Sequence, residues 1–123
     1  MAIKNIIIAE DSSVLQNLIK KILIQIDCVT KGVKNGEALL NELENNQYDL
    51  ILLDINIPKK NGIECAEIIR ESKTSDELPI IAVTGNADNL SDIEFNDLGF
   101  NDVILKPIDF DNLVVTVEKW LKR

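Results

Sequence analysis

The chain has 123 residues, enough for one domain around a single core, and 46% of them are hydrophobic, well above the range of disordered chains. Its net charge of −8 argues against the basic patch of a nucleic-acid binder and against adhesion to an anionic membrane. The sequence has no histidine, which excludes Ser-His and Cys-His catalysis, histidine metal sites and a phosphohistidine carrier; carboxylates, hydroxyls and lysine remain for any chemistry.

No apolar stretch approaches the roughly 20 residues that span a bilayer. The N-terminus enters its first apolar run without a small-residue cleavage site, so the expectation is a cytoplasmic protein without a secretory signal. Cys28 and Cys65 are too few for a disulfide framework or a metal cluster and are expected to be reduced packing residues.

In chain order, strand-like and helix-like segments alternate about five times, the pattern of a parallel sheet with helices on both faces. The first strand is Ile6-Ile7-Ile8-Ala9, which runs into Glu10-Asp11. Ser13-Val14-Leu15-Gln16 then fits a capping box, with the serine as cap and the glutamine reaching back. Leu15, Leu18, Ile19, Ile22, Leu23 and Ile26 recur at helical spacing and form one buried stripe.

A second strand is expected from Val29 to Val33, and Asn35-Gly36 turns into a helix bearing Ala38, Leu39, Leu40 and Leu43. The third strand, Asp49 to Leu53, is continuously apolar after Asp49, as a strand covered on both faces should be. The loop from Pro58 to Gly62 leads to a helix with Ile63, Ala66, Ile68 and Ile69 inward. The fourth strand opens at Pro79, where a missing N–H is tolerated, and ends on Thr84. A short helix from Asp88 to Leu98, a strand from Asp102 to Leu105, and a final helix capped by Asp109 or Asp111 complete the chain. That last helix bears Leu113, Val114, Val117 and Leu121. No repeat or linker interrupts the pattern, so one domain is expected over residues 1–123. The starting Met1 and the clean final helix favour a stand-alone chain over a piece of a larger regulator.

Ligand sites in open parallel sheets form at the carboxyl ends of the strands. Here those ends carry Glu10, Asp11, Asp54, Thr84 and Lys106. Three carboxylates side by side repel one another, and a cation relieves the repulsion. Oxygen ligands without nitrogen or sulphur select Mg²⁺ or Mn²⁺ over zinc, and the carbonyl of Asn56 is placed to add a neutral ligand. Asp54 ends an apolar strand, where a carboxylate can attack a phosphoryl group. Lys106 and Thr84 can bond phosphoryl oxygens, and Gly85 leaves the approach open. Taken singly, each has a bland reading as a surface acid, a cap or a solvated charge; the set is informative.

Glu10-Asp11, the run from Asp54 to Gly62 (Asp-Ile-Asn-Ile-Pro-Lys-Lys-Asn-Gly), Thr84-Gly85 and Lys106-Pro107 together closely resemble the receiver domain of two-component response regulators. The resemblance covers nearly the whole chain. It implies a flavodoxin-like, doubly wound α/β fold: a five-stranded parallel sheet in order 2-1-3-4-5 with five helices. It also implies phosphorylation of Asp54 by a phosphohistidine on a sensor histidine kinase or histidine phosphotransfer protein. Mg²⁺ would be held by Asp11, Asp54 and the Asn56 carbonyl, with Glu10 acting through water. Lys106 and Thr84 would hold the phosphoryl oxygens, and the Lys106-Pro107 peptide would be cis.

In the family, the residues two after the phosphoacceptor and two after the threonine tune hydrolysis; here they are Asn56 and Asn86. Output would pass to a downstream protein through the face of the fourth helix, fifth strand and fifth helix, with Lys119-Trp120 on the last helix. One position departs from the family pattern: an aromatic residue usually stands three before the lysine, and this chain has Val103, which has no ring to swing.

Three other readings compete. A haloacid dehalogenase-like phosphatase wants its nucleophile on the first strand and a second aspartate two later, where this chain has Asn56. A flavodoxin-like cofactor binder needs a phosphate loop where Ala9-Glu10-Asp11-Ser12 is acidic. A receiver-like adaptor that works without phosphorylation would need no complete acid–Asp–Thr–Lys set, yet the set is present.

Overall fold

The computed structural model describes residues 3–85 and 92–122. Five strands and five helices alternate: β1 (Lys4–Ala9), α1 (Ser13–Ile24), β2 (Cys28–Val33), α2 (Gly36–Asn45), β3 (Leu50–Asp54), α3 (Gly62–Arg70), β4 (Ile80–Thr84), α4 (Asp92–Asp97), β5 (Asp102–Leu105) and α5 (Phe110–Leu121). All strand pairs are parallel, in the order β2-β1-β3-β4-β5. This is the doubly wound sheet expected from the alternating pattern.

The period-2 alternation of side chains divides the interior into two cores. Ile7 and Ala9 of β1, Ile51 and Leu53 of β3, and Ile80 and Ala82 of β4 point to one face, where Leu39, Ala66, Ile69 and Phe95 cover them from α2, α3 and α4. Ile6, Ile8, Leu50, Leu52, Ile81 and Val83 point to the other, under Ile19 and Leu23 of α1 and Leu113 and Val117 of α5. Every residue of β3 is buried, which is why its sequence runs apolar without alternation. Both cysteines are buried, as expected of packing residues.

Several local expectations shift. The cap of α1 is Ser12, not Ser13: the Ser12 Oγ accepts from the Leu15 amide at 3.2 Å. Gln16 does not reach back to form a capping box. It is buried, and its Nε2 donates to the carbonyls of Glu10 and Val33, both at 3.1 Å, tying the ends of β1 and β2 together. Gly32 makes room for it, since a Cβ there would overlap the carboxamide. Leu18 and Ile68, expected inward, are 42% and 38% exposed, because each helix covers the sheet with a narrower stripe than its apolar spacing offers.

Strand limits move by one residue: β2 starts at Cys28, β3 runs from Leu50 through Asp54, and β4 starts at Ile80, with Pro79 just outside. Pro79 contributes its carbonyl, which accepts from the Ile51 amide at 2.9 Å. Asp109 is the cap of α5, with its Oδ1 accepting from the amides of Asp111 and Asn112. The expected start of α4 at Asp88 lies outside the described residues; α4 is described from Asp92, and Gly99 turns the chain beyond it at φ +103°. The following Phe100 packs edge-to-face on Phe95, with ring centres 5.8 Å apart. The Lys106-Pro107 peptide is cis.

Arg70, not singled out from the sequence, fastens the end of α3 to the rest of this side. Its Nε donates to the Gly99 carbonyl at 2.9 Å, and its Nη1 to the carbonyls of Lys73, Thr74 and Leu78. Its Nη2 donates to Asn101 Oδ1, which also accepts from the Ile80 amide. Burial pulls the guanidinium pKa down, but the group keeps five oxygen partners. Loss of charged donors to partly buried carbonyls costs on the order of 1–3 kcal/mol. Arg70→Ala is expected to lower unfolding stability by about 2 kcal/mol. Urea denaturation followed by circular dichroism checks this, and an unchanged midpoint would show that water replaces the guanidinium without loss.

Candidate functional site

Strand register explains why distant residues meet. Ala9 lies opposite Leu53, so Glu10 and Asp54 emerge side by side one step later. Asp54 lies opposite Val83 and Thr84 opposite Leu105, which brings Thr84 and then Lys106 to the same edge. The Lys106 amide donates to the Thr84 carbonyl at 2.8 Å, fixing that last step.

At this edge Glu10, Asp54 and Thr84 are buried, Asp11 is exposed, and the Lys106 side chain is 28% exposed. The Lys106 Nζ sits 2.9 Å from Asp54 Oδ2 and 2.9 Å from Glu10 Oε1. The opposite oxygens are held by backbone: Ser12 N–H donates to Glu10 Oε2 at 2.9 Å and Asn56 N–H to Asp54 Oδ1 at 3.0 Å. Burial raises the Glu10 pKa, outweighing the Ser12 and Lys106 hydrogen bonds that lower it. Burial also pulls the Lys106 pKa down, yet its bonds to Asp54 and Glu10 leave it raised overall.

The loop after Asp54 is fastened on both sides. Gly62 N–H donates to the Ile55 carbonyl at 2.8 Å, and the first turn of α2 donates from Gly36 and Glu37 to the carbonyls of Pro58 and Lys59, both at 3.1 Å. Lys59 and Lys60 take positive φ (52° and 76°), and Gly36 lies so close to the Lys60 carbonyl that a Cβ would collide with it. Gly85 is different: a Cβ there would make an ordinary 3.8 Å contact with Lys106 Cβ, so space does not require glycine.

All five residues singled out at the strand ends therefore converge. Asn56 lies beside them, exposed, while Asn86 lies outside the described residues. The site residue missed was Gln16, whose signal was a glutamine on an apolar helix face opposite a glycine. At the start of β5, Trp120 Nε1 donates to Asp102 Oδ2 at 2.8 Å and Lys119 lies over its ring, while partly buried Val103 packs against the core on the other face of the sheet.

A family model, the response regulator receiver domain, matches residues 6–118. The chain belongs to this family. Among its relatives, the TorCAD operon transcriptional regulatory protein TorR of Escherichia coli K12 is 34% identical over 97% of this chain and 50% of its own length. The transcription factor SKN7 of Saccharomyces cerevisiae is 34% identical over 96% of this chain and 19% of its own. The chain thus spans half or less of these relatives. Among solved structures, the receiver domain of the Pseudomonas aeruginosa sensor histidine kinase PA1611, with a magnesium ion coordinated in its active-site cleft, superposes with a TM-score of 0.87. It is 28% identical, and the match covers 99% of this chain and 100% of that one. The receiver fold of two-component regulators is therefore the frame for this site.

The receiver's acidic cluster has the donor set for a hard divalent ion. Carboxylate oxygens of Glu10, Asp11 and Asp54 lie within 4.8 Å of one another. Ligands on opposite sides of an octahedral Mg²⁺ are about 4.2 Å apart at its usual bond length, so small side-chain adjustments close the gap. Lys106 offsets only part of the repulsion among the three acids.

Proton linkage then has a definite sign. The raised Glu10 pKa means the folded chain holds that proton more tightly than the unfolded chain does, a stability contribution present at low pH and lost as pH rises through the folded-state pKa. The raised Lys106 pKa contributes stability that is fully present at neutral pH and lost only above the ordinary lysine range. Metal binding needs deprotonated carboxylates, so the stabilisation that a divalent ion held by this cluster would give grows with pH. At about 100 times Kd, Mg²⁺ is expected to add about 2.7 kcal/mol. Thermal melts should show a larger Mg²⁺-induced rise at about pH 7.5 than at about pH 5, and little rise in Asp11→Asn. Equal rises at both pH values would rule out this cluster as the binding site.

Proposed function

We propose that this receiver accepts a phosphoryl group on Asp54 from a phosphohistidine of a sensor histidine kinase or histidine phosphotransfer protein. The observation that carries this reading is the buried Asp54 carboxylate, held between the Lys106 ammonium and the Asn56 amide beside two further acids. An Asp54 oxygen attacks phosphorus as the phosphorus–nitrogen bond breaks. The imidazole leaves with the electron pair, and an acyl phosphate forms on Asp54.

Phosphoryl transfer asks mainly for positioning and for neutralisation of charge on the equatorial oxygens. Lys106 already spans two carboxylates and can move its ammonium from Asp54 to an incoming phosphoryl oxygen. The Thr84 hydroxyl is proposed to donate to another. Mg²⁺, held by Asp11, Asp54 and the Asn56 carbonyl with Glu10 acting through water, would neutralise phosphoryl charge when bound. Hydrolysis of the acyl phosphate by an in-line water, oriented by Asn56 and Asn86, would reset the domain. The protein is then a signalling switch with no turnover of an external substrate, and we place its action in the cytoplasm.

Charge capture by Thr84 and Lys106 would bias the face formed by α4, β5 and α5, which meets the downstream partner. Val103 lacks a ring, so this transmission would run through backbone and loop rather than through a rotating aromatic. A phosphorylation-independent adaptor is the second reading, and the same experiment separates the two. With Mg²⁺ and acetyl phosphate, intact-mass spectrometry should show one added phosphoryl group. Peptide mapping should place it on Asp54, with no label in Asp54→Asn or in EDTA. Lys106→Met should slow labelling by about 10²-fold or more, as loss of one preorganised charge donor does. A folded protein that takes no label would leave the adaptor.

A further inference from the structure

At the opposite end of the sheet from Asp54 a groove of about 1010 Å³ opens between the C-terminal ends of α2 and α3. Counting along β3 from its first residue, it lies about 13 Å from the strand end that carries Asp54. Its apolar lining includes Leu43, Tyr48, Ile68 and Leu78, and Ile68 is 38% exposed, a large apolar side chain on the outward side of α3. Its charged lining is Glu44, Asp49 and Glu77 against Lys73, a net of −2.

One further feature deepens the negative potential. α2 has no basic residue in its last turn, so the partial negative charge of its C-terminus is uncompensated there. The Thr74 amide donates to Glu77 Oε1 at 3.1 Å and helps hold that carboxyl pKa below its usual value, which fixes the acid at the groove's rim. The basic residue of α3's last turn, Arg70, donates to the Lys73 and Leu78 carbonyls at the groove's edge and offsets part of this charge, leaving an acidic excess at Glu44, Asp49 and Glu77.

We infer that this groove is a second docking surface, which takes a short segment of a partner protein carrying basic side chains around one or two large apolar ones. The apolar floor supplies burial, and the acidic rim selects cations. The same rim repels nucleic acid and anionic lipid. Because the groove lies away from the strand ends, a partner seated here leaves the phosphoacceptor edge open. The inference does not depend on the phosphoacceptor role of Asp54.

The test uses the full chain labelled with ¹⁵N and three peptides of equal length. One repeats Lys-Leu-Leu-Lys, the second has glutamate in place of lysine, and the third has serine in place of leucine. The Lys-Leu peptide is expected to shift amide signals in residues 40–49 and 68–78, and the other two are not. Glu44→Lys and Ile68→Ser, both at exposed helix positions, should each weaken binding about three- to tenfold. Glu37→Lys, the same charge change at the far end of α2, should not. Shifts scattered over the acidic surface, equal effects of Glu44→Lys and Glu37→Lys, or no binding of the Lys-Leu peptide would overturn the inference. So would the same shifts on concentrating the protein alone, which would identify a second copy of the chain as the occupant.

Discussion

The carboxyl edge of the sheet depends on one ammonium group placed between two buried acids. Parallel register forces Glu10 and Asp54 to emerge side by side, and burial makes their charges costly. Lys106, delivered by a different strand, meets both at 2.9 Å. The backbone amides of Ser12 and Asn56 occupy the remaining oxygens, so each acid is held in a fixed orientation. Two cations of different kinds suit this edge: the lysine that the fold supplies and a hard divalent ion, for which the carboxylate donor set is in place. The excess of negative charge is what makes the second one welcome.

Surrounding structure serves that edge by holding the strand ends still. Gln16 clamps the carbonyls after β1 and at the end of β2, and the start of α2 laces the loop beyond Asp54. At the other end of the molecule Arg70 gathers the carbonyls that follow α3 and the turn that precedes β5. Each clamp is a side chain or helix end from one βα unit gripping the backbone of another, so the repeating units are joined by more than their sheet hydrogen bonds.

How much of this was legible in the sequence follows from the kind of interaction. Apolar runs such as Leu50 to Leu53 announce a doubly covered strand, and the polar residue ending each run shows where a site will form. Chain order alone then suffices to bring Glu10, Asp11, Asp54, Thr84 and Lys106 to one edge. Periodicity is silent on partners. Gln16 fits a capping box by spacing, and only the approach of Gly32 shows that its carboxamide turns inward. Adjacent serines at 12 and 13 offer two caps of equal chemistry. Leu18 and Ile68 carry helical apolar spacing yet lie outside the contact stripe. Arg70 has no local signature, because all its acceptors except Lys73 and Thr74 are distant in sequence or on another element.

The lacing of residues 58–60 to the start of α2 has a consequence for how this chain tolerates change. Two consecutive left-handed residues, a glycine with no room for a methyl group, and hydrogen bonds at Gly36, Glu37 and Gly62 make the segment a strut of set length. Side chains along its outer surface can vary among residues that accept the left-handed backbone at 59 and 60, since Pro58, Lys59 and Lys60 are exposed. Its residue count is not, because one inserted or deleted residue would put every bond out of step at once. Diversification at this loop would therefore proceed by repainting the strut rather than by resizing it.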